Sequence, residues 1–249
     1  MARGVLQEVA AVPVLHQQLK RLTRRRNQIV DAKVRYIGRL QSDLQSISPG
    51  LVNITGAIDN LWFLRLLSSA NKINKLSGLR SVTLLKIPGI GKKYLAKIQS
   101  WQSECCFSEE AIWVGSMIIE DAKHVLSLVE KIKYLDTQID QCNQQSDMAQ
   151  CVQSMPGFGV ICSGILTGEI GNIDRFEKES SLSMYMGMSA LDNSSGLYKG
   201  SKIPRQVNKR IKAAMMIALE RHRHQVPESQ KYYEKNALKV KSTIRLFGL

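Results

Sequence analysis

The sequence predicts an all-α protein: a long antiparallel coiled-coil linker with a helical cap, followed by a helical C-terminal domain containing helix-hairpin-helix-like turns. Three observations carry this prediction. Two separate stretches keep three- and four-residue apolar spacing over many turns, and a pair of Pro-Gly-x-Gly segments each reads as helix, tight turn, helix. With 44% hydrophobic residues in 249, the chain has enough apolar surface to build real cores.

The first helix starts after Pro13, a residue suited to a helix N-terminus, and carries Leu15, Leu19, Leu22, Ile29, Val30, Val34, Ile37, Leu40, Leu44 and Ile47. Ser48-Pro49-Gly50 ends it. A helix over 14–47 is roughly 50 Å long at 1.5 Å per residue, so it needs a helical partner. Ile118, Ala122, Val125, Val129, Ile132, Leu135, Ile139 and Cys142 supply one with nearly the same spacing. The intervening stretch, 50–110, also reads helical and caps the far end of the pair. Arg26 falls in the apolar seam, where pairing is imperfect or opens to a ligand. The run Arg24-Arg25-Arg26 reads either as a solvated face or as a phosphate contact, and the overall charge favours the latter.

The two turn segments are Pro88-Gly89-Ile90-Gly91-Lys92-Lys93 and Pro156-Gly157-Phe158-Gly159-Val160. Their glycines permit positive φ, and the amides that open the next helix can hold a phosphate oxygen. Gly89, Gly91, Lys92 and Lys93, together with Gly157 and Gly159, are therefore candidate DNA-binding residues. Only the first turn is followed by lysines, so phosphate contact suits it best; the second runs into apolar Val160-Ile161-Cys162 and suits a core-building turn.

Thirty-five Lys and Arg against 21 Asp and Glu leave a net charge of +14, which points to a polyanion partner, with nucleic acid first. From Ser195 onward there are 13 Lys or Arg and three Glu. Five cysteines, an odd number without a CxxC pair, suit neither a disulfide framework nor a zinc module. No apolar run reaches the roughly 20 residues of a membrane span, and no signal-peptide core opens the chain. A bacterial cytoplasmic, nucleoid-associated protein is the expectation.

From Met155 the chain presents Pro156-Gly157-Phe158-Gly159, an apolar helix to Gly168-Glu169-Ile170-Gly171, Asp174-Arg175-Phe176, Tyr185-Met186-Gly187-Met188 and Asn193-Ser194-Ser195-Gly196. A basic helix, Val207-Asn208-Lys209-Arg210-Ile211-Lys212-Ala213-Ala214, follows. This series resembles the C-terminal transposase domain of the IS110 (Piv/MooV) family of insertion-sequence recombinases. The resemblance covers about 150–235, and the long helices are similar to that family's linker.

The resemblance implies a serine nucleophile that forms a transient phosphoserine link with DNA, assisted by Mg2+ on an Asp-Glu-Asp-Asp tetrad. By position before Gly196 the nucleophile is Ser195, with Ser194 as second choice. Lys199, Lys202, Arg205, Lys209 and Arg210 follow closely and suit DNA backbone contact. No metal ligands are expected in this chain, because Glu8, Asp31 and Asp43 are scattered and the tetrad would precede Met1.

The implied organisation is 1–12 as the end of a RuvC-like domain, 13–145 as linker and cap, 146–235 as transposase domain and 236–249 as an atypical basic tail, hence an N-terminally truncated member. Implied partners are DNA, a structured guide RNA and further copies of the chain, with no membrane. Two other readings stay open: a non-catalytic DNA- or RNA-binding regulator derived from a transposase, and a helix-hairpin-helix DNA-binding protein.

Overall fold

The computed structural model describes residues 11–197, 200–202 and 204–246, with side chains to residue 236. It is largely helical with two short strands. Helix α1, Val14–Ile47, and the five-residue α2, Pro49–Asn53, are separated by Ser48, which cannot continue a helix comfortably because Pro49 follows it. Then come α3 (Leu61–Ser68), a 3₁₀ turn (Ile73–Gly78), α4 (Ser81–Leu85), α5 (Lys92–Glu104) and α6 (Ala111–Asn143). The C-terminal part contains α7 (Asp147–Ser154), α8 (Val160–Ile170), a 3₁₀ turn (Ile173–Arg175), α9 (Glu179–Met186), β1 (Leu191–Asp192), β2 (Ser201–Lys202), α10 (Lys209–Gln225) and α11 (Pro227–Leu246). The two long helices occupy the expected stretches.

The chain forms two compact units, one comprising 26–134 and the other 1–25 with 135–249. In the first, Leu40, Leu44 and Ile47 of α1 share a core with Phe63, Leu64 and Leu67 of α3, Ile98 of α5, and Ile118, Ala122 and Val125 of α6. Fully burying each of these large side chains is worth about 1.5–3 kcal/mol. Tyr36 packs on His124 with ring centroids 4.4 Å apart, and Arg39 donates to Asp121 at 3.0 Å, so α1 and α6 run antiparallel here. Trp62 of α3 stacks on Tyr94 of α5 at 4.4 Å.

In the second unit Leu19 of α1 packs with Ile139 and Cys142 of α6. Ser146 caps α7, accepting from the Ala149 amide at 3.3 Å. The apolar α8 is buried from Ser163 to Ile170. Two glycines permit this. A Cβ on Gly164 would lie 2.8 Å from Ile139 Cγ2, and one on Gly168 would lie 2.5 Å from the Lys20 backbone nitrogen. Helix α8 therefore meets α1 backbone to backbone at Gly168, and Leu166 and Ile170 turn to Ile211 of α10.

Gly168 gives a prediction whose sign is set by competition. In an exposed helix, Gly→Ala stabilises by about 1 kcal/mol. Here the new methyl meets main chain that cannot swing aside, an overpacking cost of about 1–3 kcal/mol. Gly168→Ala is expected to lower the urea midpoint, and a midpoint at or above wild type would show that α1 and α8 do not approach this closely.

Candidate functional site

The serine segment is a hairpin, not the plain polar loop its composition suggests. Leu191 pairs with Lys202 and Asp192 with Ser201, antiparallel, and the Asn193 amide donates to the Gly200 carbonyl at 2.9 Å. Residues 193–200 are thus tied at their base. Ser194 and Ser195 are exposed, and Gly196 adopts φ +55° with open space where a Cβ would stand. A glycine is favoured there because this left-handed backbone is costly for other residues. Among the described residues neither serine hydroxyl has a side-chain hydrogen-bond partner. Lys202 is exposed on β2, Arg205 is exposed in the connection to α10, and Lys209 and Arg210 are exposed on its first turn. Lys199 lies outside the described residues.

The connection from hairpin to basic helix is anchored by a buried network that sequence reasoning did not single out. Glu169, with a side chain 1% exposed, receives Arg24 Nε at 2.7 Å and Arg24 Nη2 at 2.9 Å. Asn208 Nδ2 donates to the same oxygen that Arg24 Nη2 reaches, Glu169 Oε2, at 3.0 Å, and also reaches Tyr185 Oη at 2.9 Å. Tyr185 Oη donates to the Glu169 carbonyl at 3.1 Å. Asn208 in turn caps α10, its Oδ1 accepting from the Arg210 and Ile211 amides. Burial on its own would push the Glu169 carboxyl up, but the hydrogen bonds from Arg24 and Asn208 outweigh it and hold the group below the usual carboxylate range. The Arg24 guanidinium is correspondingly raised, chiefly by its bond to Glu169.

Within the arginine run, Arg24 is engaged by Glu169 rather than turned to a phosphate. The same network shows what the amides at the start of α10 do. Two are satisfied by Asn208, which leaves the exposed Lys209 and Arg210 side chains as the cations of that first turn. Cations in a first turn oppose the helix dipole. Their placement does not serve helix stability.

The two Pro-Gly turns differ in what faces their glycines. Gly157 has φ +89°, and a Cβ there would lie 2.5 Å from Ala218 O and 2.6 Å from His222 N, both backbone of α10. His222 Nδ1 lies 2.9 Å from the Pro156 carbonyl. This is a packing turn, and Gly159 beside it lies half-buried. Gly89 has φ +99° and sits on Trp62, 2.8 Å from that residue's Cβ, while Arg65 Nη1 donates to Pro88 O at 3.1 Å. Its outer side is open: Gly91, Lys92 and Lys93 are exposed, and no side chain caps α5.

Among the described residues no group of three or more His, Cys, Asp or Glu side chains is placed to hold a metal ion. Glu169, the one buried acid of the second unit's core, already has its oxygens engaged by Arg24 and Asn208, and does not fit a ligand's role. Among the described residues no helix is long and apolar enough to cross a membrane.

The hairpin lies within residues 149–234, which match the family model described as Transposase IS116/IS110/IS902 family. Over this segment the chain is similar to insertion-sequence transposases of the IS116/IS110/IS902 family. It is 24% identical over 212 residues to the insertion element IS110 uncharacterized 43.6 kDa protein of Streptomyces coelicolor, a match covering 82% of this chain and 52% of that protein. The insertion element IS116 uncharacterized 44.8 kDa protein of Streptomyces clavuligerus is 22% identical, over 90% of this chain and 58% of its own length. The insertion element IS900 uncharacterized 42 kDa protein of Mycobacterium paratuberculosis is 28% identical over 123 residues, 49% of this chain and 31% of that protein. The chain thus spans about half the length of the first two relatives. The family implies a divalent metal in the reaction.

Proposed function

We propose that this chain is the DNA-engaging, nucleophile-bearing part of an insertion-sequence transposase, with Ser195 as the attacking residue. The observation that supports it most is the hairpin itself: within the family-matched segment it holds a serine exposed at a glycine-bent tip, between strands tied at their base. In the step proposed, Ser195 Oγ attacks a backbone phosphorus, one Oγ–P bond forms, and the bond from phosphorus to one sugar oxygen breaks. The hydroxyl proton ends on that leaving oxygen. Reversal with a different strand's hydroxyl completes an exchange.

A free serine is a weak nucleophile at neutral pH and needs a base, metal or cations beside it. Lys202, Arg205, Lys209 and Arg210 offset the negative charge of the scissile and flanking phosphates, with Lys199 assigned the same role by its position before Lys202. The metal is Mg2+ by the resemblance, and no described residue is assigned as its ligand. Gly89, Gly91, Lys92 and Lys93 form a separate phosphate contact; Gly157 and Gly159 shape the domain that presents the hairpin. DNA is the substrate, a structured guide RNA and further copies of the chain complete the assembly, and the bacterial nucleoid is where it works.

The test is a suicide DNA substrate incubated with Mg2+ and the full chain. Ser195→Ala is expected to cut formation of the covalent protein–DNA adduct on the order of 10⁴-fold or more, while thermal midpoint and DNA affinity stay at wild-type values. Retained adduct in Ser195→Ala with loss in Ser194→Ala would move the nucleophile one residue back. Adduct retained in both would remove this loop from the chemistry.

A further inference from the structure

Outside the family-matched segment lies a second concentration of positive charge. Residues 60–103 contain eight Lys or Arg and no Asp or Glu, although about four acids would fall there at the chain's average frequency. The next stretch, 104–194, is the reverse, with 14 acids and five Lys or Arg. A surface charged only for solubility mixes both signs. Here the signs are sorted.

The structure brings these cations onto one small assembly. Lys72, Lys75 and Arg80 lie at and around the 3₁₀ turn that precedes α4, and all three are exposed. Gln102 of α5 donates to the carbonyls of Leu76 and Leu79 at 2.8 and 3.1 Å, and Gln99 donates to Ser81 Oγ at 3.0 Å, so this segment is fastened along α5. Exposed Lys92, Lys93 and Lys97 stand on the first two turns of that same helix, whose N-terminus no side chain caps. Among the described residues none of these six makes an ion pair. Like charges within about 10 Å repel unless a counter-charge screens them. Trp62 and Arg65 brace the Gly89 turn from beneath, so the surface is preorganised.

We infer that the cap formed by the 3₁₀ turn, α4 and the first turns of α5, acid-free through residue 103, is a second, extended binding surface for the sugar–phosphate backbone of a nucleic acid, separate from the serine hairpin. The inference rests on the reading of the Gly89–Lys93 turn as a phosphate contact and extends it to Lys72, Lys75 and Arg80. Each phosphate neutralised on a duplex lowers the slope of log affinity against log salt by about 0.9.

The experiment uses the full chain and two probes, a random-sequence DNA duplex and an RNA duplex of equal length, titrated by anisotropy between about 50 and 200 mM salt. The triple variant Lys72→Gln/Lys75→Gln/Arg80→Gln is expected to flatten the slope by about two to three and weaken binding about tenfold or more in low salt, with an unchanged thermal midpoint. Loss in the DNA arm alone assigns the surface to DNA, loss in the RNA arm alone to RNA, and equal loss to the backbone common to both. A triple variant with wild-type slope and affinity overturns the extended surface. If Lys92→Gln/Lys93→Gln still weakens binding in that case, the turn contact stands without it. If only Lys209→Gln/Arg210→Gln has an effect, the turn contact falls as well.

Discussion

Arg24→Met is expected to destabilise the protein by about 3 kcal/mol, more than Glu169→Gln at the other end of the same ion pair. The asymmetry follows from burial. Arg24 is 42% exposed at its side chain and Glu169 is 1% exposed. Removing Glu169 leaves an arginine that can turn to water, whereas removing Arg24 strands a carboxylate in the core with only Asn208 donating to it. Methionine keeps the aliphatic bulk of the arginine stem, so the loss reads the charge and its two hydrogen bonds rather than a cavity. Lys20 is close enough to favour the charged carboxylate slightly, which keeps the cost at the lower end of the 3–5 kcal/mol range for broken buried pairs.

The pH dependence separates this account from simple loss of packing. In the wild type the Glu169 carboxyl is held below its ordinary value, so its contribution is present above the unfolded value of about 4.5 and is lost as pH falls through the folded one. Without Arg24 the burial effect prevails and the folded value rises, so ionised Glu169 then opposes folding near neutral pH. The stability difference between wild type and Arg24→Met should therefore be widest at neutral pH and shrink as pH is lowered through 4.5. Chemical unfolding at a series of pH values checks it. A difference that is constant with pH would mean that Arg24 contributes through its contacts alone.

The same network shows where sequence reading succeeds and where it stops. The bounds of α1 were legible because local signals agree: Pro13 at one end, Ser48-Pro49-Gly50 at the other and apolar periodicity between. The part of Ser195 that sequence supplies is its company of motifs, and the hairpin around it is not legible because two-residue strands are too short to show an alternating pattern. Arg24 and Glu169 stand 145 positions apart, and nothing local distinguishes Arg24 from Arg25. A lone acid inside the otherwise uncharged α8 was the available signal, since such a group needs a partner. The difference between the two Pro-Gly turns was legible, because lysines follow one and apolar residues the other. What faces each glycine was not.

Gly157→Ala is the second change expected to have a large effect, about 3 kcal/mol or more, and two independent costs combine in it. An L residue held near φ +89° is strained by about 1–2 kcal/mol relative to glycine. The added methyl would also stand 2.5 Å from the Ala218 carbonyl oxygen and within 2.9 Å of the His222 Cα. Both neighbours are backbone in the C-terminal half of α10, so relief requires moving that helix, and overpacking of this kind costs about 1–3 kcal/mol more. Moving α10 has a functional consequence, because its first turn carries Lys209 and Arg210 and its cap, Asn208, is bonded to Glu169. Gly91→Ala provides the contrast: nothing lies within 4 Å of its Cβ position and its backbone is extended, so its thermal midpoint should match wild type. Thermal unfolding of the two variants side by side checks the pair. A Gly157→Ala protein as stable as Gly91→Ala would mean that the second turn does not close on α10, and the packing role assigned to it would have to be given up.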